Sequence, residues 1–188
     1  MSAVIEIRKE LKENAIDANK ESALKFVPNA KKILGVKMPV LNELAKKFKD
    51  ADENLIRQLW KEGVYEERIL AAKLIGKIAK RKPETALSLL NKFSVDIDNW
   101  ALCDTLGMQS LKPIVKSHAQ EIFQLSEKYI TSKKMWQRRL ALVLVEWHCR
   151  EKEFKPAIKA LLKKVEDDNE YYIKKAVVWI NASLNKKR

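Results

Sequence analysis

The sequence predicts an all-α fold, an α-solenoid of stacked antiparallel helix pairs forming one domain over residues 1–188. Three observations carry this. Glycine (4) and proline (5) are scarce in 188 residues, whereas Lys, Glu, Leu and Ala, which lose little freedom in a helix, are abundant. Apolar residues recur at helical spacing, and no stretch alternates as a half-buried strand would. Four segments also superpose at one fixed interval, the mark of a repeat array.

The elements follow in chain order. Pro39, Pro83, Pro113 and Pro156 are each expected to open a helix, because the first turn has no use for the missing N–H. In "ERILAAKLIGKIAK" the residues Ile69, Ala72, Ile75 (with Gly76) and Ala79 make one apolar stripe. Short stretches such as "KEG", "KRKP", "SVDID", "TSKK" and "EDDNE" separate ten or eleven helices, with no Pro/Ser-rich linker.

The repeated segments start at Val64, Trp100, Trp136 and Tyr172, 36 residues apart. Their seventh column reads Leu70, Leu106, Leu142, Val178 and their ninth Ala72, Met108, Leu144, Ile180. Each segment follows another amphipathic helix, so each repeat is a helix pair. TPR and ankyrin signatures are absent, and the interval falls slightly short of a HEAT repeat, so the array is HEAT-like. In a curved array the second helices commonly line the concave side. The third to fifth columns would then face a groove: Glu66-Glu67-Arg68, Leu102-Cys103-Asp104, Arg138-Arg139-Leu140 and Lys174-Lys175-Ala176. The eighth column is small at Ala71, Gly107 and Val143. It is expected to leave room in that groove, which Trp179 partly closes at one end.

Charge points to the partner. Lys+Arg number 38 against 25 Asp+Glu, a formal net charge of +13. Such an excess suits a polyanion, nucleic acid first and an anionic membrane surface second. Arg68, Arg138, Lys174 and Lys175 are the expected phosphate-contacting cations of the groove, with binding that weakens in salt. Asp104 is the exception. Either its carboxylate holds positive charge or orients a water for attack, or it is a structural ion pair with Arg139 or Arg68. Trp100 and Trp136 occupy equivalent positions suited to the core. Trp179 either packs in the core or offers its face to a cation or a sugar.

Other chemistries find no support. Cys103 and Cys149 lie far apart, as buried thiols of a reducing compartment would. His118 and His148 do not join them at metal-ligand spacing, so neither metal nor cofactor is expected. Walker A, GxGxxG and GxSxG patterns are missing. The charged start "MSAVIEIRKE" does not resemble a signal peptide, and no apolar run approaches the ~20 residues of a membrane span. A cytoplasmic monomer, nucleoid-associated when on DNA, is the expectation.

Four stretches together resemble the AlkD-type DNA alkylation repair glycosylases, a HEAT-like family. "ALKFVPNAKKILGVKMP" is similar to that family's N-terminal segment, "NWALCD" to its W-x-x-x-D, "MWQRRLA" to its W-x-x-R, and "YYIKKAVVWIN" to the segment that ends in a second site tryptophan. The resemblance implies Asp104 as the catalytic carboxylate with Arg139 beside it, holding a backbone phosphate. It implies Trp100 and Trp179 as aromatic walls of the lesion site. Phe26 stands where family members have a tyrosine, so that hydroxyl is lost. The stretch "INASLNKKR" departs from the family's L-R pair and further repeat.

The implied activity is hydrolytic excision of cationic N3- or N7-alkylated purines from double-stranded DNA, without extruding the base from the duplex. No lyase step is implied, since no lysine is evident for a Schiff base. The family also has DNA-binding members without glycosylase activity. A non-catalytic DNA-binding solenoid that recognises damaged or branched DNA is therefore the second reading. A scaffold for an acidic protein is the third.

Overall fold

A computed structural model of the chain describes residues 2–30 and 32–186. They form eleven α-helices: α1 (Ala3–Glu13), α2 (Asp17–Phe26), α3 (Met38–Lys47), α4 (Glu53–Lys61), α5 (Tyr65–Ile78), α6 (Pro83–Phe93), α7 (Trp100–Gln109), α8 (Ala119–Ile130), α9 (Met135–Leu144), α10 (Lys155–Lys163) and α11 (Tyr171–Asn185). Among the described residues the only β pairing is an isolated bridge between Lys32 and Val64.

Helices α3, α5, α7, α9 and α11 pack against one another in that order. The intervening helices back this row: α4 and α6 against α5, α8 against α9, and α10 against α8 and α9. The arrangement is compatible with an α-solenoid. The 36-residue interval is visible as contact. Lys73 Nζ donates to Gln109 Oε1 at 2.9 Å, Trp60 Nε1 to Asp96 Oδ2 at 3.0 Å, and the rings of Trp136 and Tyr172 lie 4.8 Å apart. Each repeat presents the same face to the next, so equivalent residues meet.

Leu70, Leu106 and Leu142 are fully buried, as the seventh column predicts, but Val178 is 68 % exposed. Among the described residues no helix packs beyond α11 to cover it. Pro113 opens a 3₁₀ turn, Lys112–Ile114, instead of an α-helix, while Pro39, Pro83 and Pro156 do sit in first helical turns. The eighth column leaves no groove space, contrary to expectation. Ala71 and Val143 are fully buried, and a Cβ on Gly107 would lie 2.6 Å from Val143 Cγ1. Small residues are needed there because α7 and α9 approach closely.

The third and fourth columns of the first repeat also turn inward. Glu66 is 1 % exposed, and its carboxylate accepts the amide N–H groups of Leu34, Gly35 and Val36 at 3.0, 2.8 and 3.2 Å. Glu67 takes Arg8 through two bonds of 2.9 Å. Glu66 thus pins the segment between α2 and α3. Gly35 there has φ +85°, and a Cβ would lie 2.3 Å from the Ile16 carbonyl oxygen, so only glycine fits. This fixes how α2 approaches the row of inner helices.

Candidate active site

Helix α7 begins where Asn99 caps it, its side chain accepting from Leu102 N at 2.9 Å. That cap places Trp100 in the first turn and Asp104 one turn later on the same face. The Trp100 indole N–H donates to the Phe26 carbonyl at 2.8 Å, which ties α7 to the end of α2 across 74 residues of sequence. The indole packs beside a small cluster of Val27, Ala30 and Ile33.

These contacts frame a cleft of about 510 Å³ lined by Phe26, Met38, Tyr65, Trp100, Asp104 and Met108, among others. Phe26 is 67 % exposed at the rim. Asp104 supplies the sole carboxylate of the lining. Burial, reinforced by the Glu66 charge, pushes the Tyr65 phenol up to about 12, so it stays a neutral O–H donor near neutrality.

Arg139 holds Asp104 from behind. Its Nε and one terminal nitrogen donate to the two carboxylate oxygens at 2.9 and 2.8 Å, and its other terminal nitrogen donates to the Tyr172 carbonyl at 2.8 Å. The Arg139 side chain is 7 % exposed and that of Asp104 is 23 % exposed. Burial works against the Arg139 charge, but the hydrogen bonds and charge of Asp104 outweigh it and the pKa lies above the ordinary value. The arginine expected to hold a phosphate is therefore occupied, and the ion pair raised from the sequence is real. It leaves part of the carboxylate facing the cleft. A planar guanidinium bound this way fixes the carboxylate's orientation.

The other predicted residues scatter. Arg68 lies over the Trp60 ring, 5.2 Å from its centre, and donates to the Trp60 and Asp96 carbonyls. Arg138 is bound to Asp168 at 2.6 Å and to the Ser132 and Lys133 carbonyls. Both were expected to face the groove, yet folding engages their donors. Lys174 and Lys175 are exposed, with Lys174 touching Asn169 and Lys175 over the Tyr171 ring. Trp179 is half-buried against the core on α11 and is absent from the lining of the Asp104 cleft. Phe26, Trp100 and Asp104 are thus brought together, with Arg139 behind them.

Sequence reasoning missed Tyr65. It lies one residue after the first repeat column, where no pattern distinguishes it. It also missed Lys73, although Lys73 and Lys77 stand four residues apart on α5 and share one helix face.

The model of the DNA alkylation repair enzyme family matches residues 7–187, so the chain belongs to that family and is implied to act on DNA. A search of curated proteins finds no match.

Proposed function

We propose that this family member is a monofunctional DNA glycosylase. It hydrolyses the N-glycosidic bond of positively charged N3- or N7-alkylated purines in duplex DNA and leaves the strand uncut. The observation that carries the reading is the Asp104 carboxylate, oriented through both oxygens by Arg139 yet still open to an aromatic-lined cleft.

The chemistry follows from charge. Alkylation puts a positive charge on the purine, so the base is already a good leaving group. Its departure leaves an oxocarbenium-like sugar, as in glycoside hydrolysis. A fixed carboxylate stabilises that cation and holds the water that attacks it. Because Asp104 is already oriented, little reorganisation is needed at the transition state. The Trp100 face offers its negative π-surface to the same developing charge. Tyr65 adds a neutral hydroxyl where Phe26 has none. Arg139 acts as a positioning residue. Trp179 keeps its proposed role as an aromatic contact to the DNA sugar, offered by α11 on the far side of α9 from Asp104. The row of inner helices would form the concave face of a HEAT-like array and receive the duplex.

Incubation with methylated duplex DNA tests the reading. Release of free 7-methylguanine or 3-methyladenine, with the sugar–phosphate backbone intact, is expected. No release from any cationic alkylpurine substrate overturns it. The bidentate Asp104–Arg139 pair also favours a second reading, in which the pair is purely structural and the chain binds damaged or branched DNA without chemistry. Tight, salt-sensitive binding with no base release would select that reading.

A further inference from the structure

Beside the Asp104 cleft lies a larger one of about 680 Å³, lined by Lys46, Lys73, Lys77, Lys112 and Trp147 among others. The two clefts share Met108 and Gln109. We infer that this lysine cleft is the phosphate seat for the DNA, receiving the backbone phosphate row that flanks the base at Asp104. The inference rests on the DNA-binding part of the proposed function and not on catalysis.

Lys73 is the strongest evidence. It is 8 % exposed, and its ammonium has one protein hydrogen bond among the described residues, to the neutral carboxamide of Gln109. Burial, with repulsion from Lys77, pulls its pKa below the ordinary lysine value. A buried cation without a carboxylate is costly, and like charges four residues apart on a helix repel. A protein with no use for that charge gains nothing by keeping it there. An anion bridging Lys73 and Lys77 would relieve both penalties.

The rest of the cleft agrees. Among the described residues no carboxylate lies within ion-pair distance of Lys73, Lys77 or Lys112, and the cleft's one acid, Glu43, is taken by Lys46 at 2.7 Å. Lys112 is steadied 4.8 Å from the centre of the Trp147 ring, and the Trp147 N–H is anchored on the Met108 carbonyl at 3.2 Å. Gly76 lets α5 and α7 converge, since a Cβ there would lie 2.5 Å from the Gln109 carbonyl oxygen. Lysines from α3, α5 and the turn after α7 therefore meet at one edge.

The spacing suits a duplex. Helix α7 carries the chain from Asp104 to Gln109, about 7.5 Å at roughly 1.5 Å per residue, and Lys112 follows in the next turn. The major groove of B-DNA is about 12 Å wide. A base edge lies between the two phosphate rows, so a row runs roughly half that width to the side of any base at Asp104. The arginines first expected to make these contacts, Arg68 and Arg138, are held by protein acceptors, and the lysines take their place.

The test is binding of undamaged duplex DNA, followed by fluorescence anisotropy across a salt series. The variant Lys77→Gln/Lys112→Gln removes two exposed charges from the cleft. Lys159→Gln/Lys163→Gln removes two exposed charges from α10 and serves as the control. The cleft pair is expected to weaken binding about tenfold and to lower the slope of log affinity against log salt by roughly 1–2. The control is expected to change the slope by less than about 0.5. Equal effects of the two pairs, or no effect of the cleft pair, overturn the inference. So does a cleft pair that binds DNA like wild type but loses a poly-glutamate probe, which would assign the cleft to an acidic protein. Base release enters none of these measurements, so the catalytic reading can fail while this one stands, and the reverse.

Discussion

Replacing Arg139 with alanine should cost the fold about 3 kcal/mol. The figure follows from what the side chain leaves behind. Breaking a buried ion pair by removing one partner typically costs about 3–5 kcal/mol, because the other charge stays buried without compensation. Asp104 has a side chain 23 % exposed, so water can recover part of its solvation, and the lower end applies. The Tyr172 carbonyl loses a 2.8 Å donor, worth about 1 kcal/mol, which partial relaxation of the site offsets. For a chain of this size the midpoint of thermal unfolding should fall by roughly 6–12 °C.

Urea unfolding followed by circular dichroism measures the loss directly, with an unchanged slope showing that the same cooperative unit unfolds. The double variant Arg139→Ala/Asp104→Asn should be at least as stable as Arg139→Ala alone, because the orphaned charge is gone. A loss below about 1 kcal/mol for Arg139→Ala, or fully additive single effects, would show that the pair is not coupled and that Arg139 does not hold Asp104.

Three further outcomes are expected. Glu66→Ala frees three amide N–H groups in the segment between α2 and α3 and should cost about 2–4 kcal/mol, with faster hydrogen exchange at Gly35 and Val36. Gly107→Ala pushes a methyl into Val143 and should cost about 1–3 kcal/mol, part of which Val143→Ala in the same protein should restore, as urea midpoints would show. For Asp168, burial pushes the pKa up, but hydrogen bonds from Arg138 and the Glu170 N–H, with the charges of Arg138 and Lys174, pull it below the ordinary carboxylate value. Its contribution is therefore present above the unfolded-state value of about 4 and is lost as pH falls through the lower folded value. Wild type should lose stability across that acid window more steeply than Arg138→Gln, in thermal melts between about pH 5 and pH 2.

The fold was legible because repeats write their period into the chain. Lys73 with Gln109, and Trp136 with Tyr172, are contacts between equivalent positions, so aligning the sequence to itself found real neighbours. The same alignment could not say which side of a helix a column faces. Ala71, Gly107 and Val143 looked like floor space in a groove and are instead the seam where helices touch. Val178 obeyed its column in type but not in burial, because a column is covered only where another helix packs on it.

At the site, the four-residue step from Trp100 to Asp104 was readable, as was an ion pair of Asp104 with either Arg139 or Arg68, of which Arg139 forms it. The engagement of Arg68 and Arg138 was not, because their partners, Asp96 and Asp168, lie 28 and 30 residues away in segments with no periodic signal. Tyr65 entered the cleft by packing against the Val27, Ala30 and Ile33 cluster, which no local pattern encodes.

Asp104→Asn is the most direct test of the catalytic account. Asparagine keeps the side chain's size and one acceptor for Arg139, so the fold should survive with modest destabilisation. Circular dichroism should confirm the folded fraction at the assay temperature, and affinity for undamaged duplex should match wild type. Under those conditions, single-turnover release of 7-methylguanine from methylated DNA should fall at least about a hundredfold, the scale on which loss of one oriented electrostatic stabiliser slows an enzyme. Release at the wild-type rate by the folded variant would contradict the account and leave the Asp104–Arg139 pair as architecture alone.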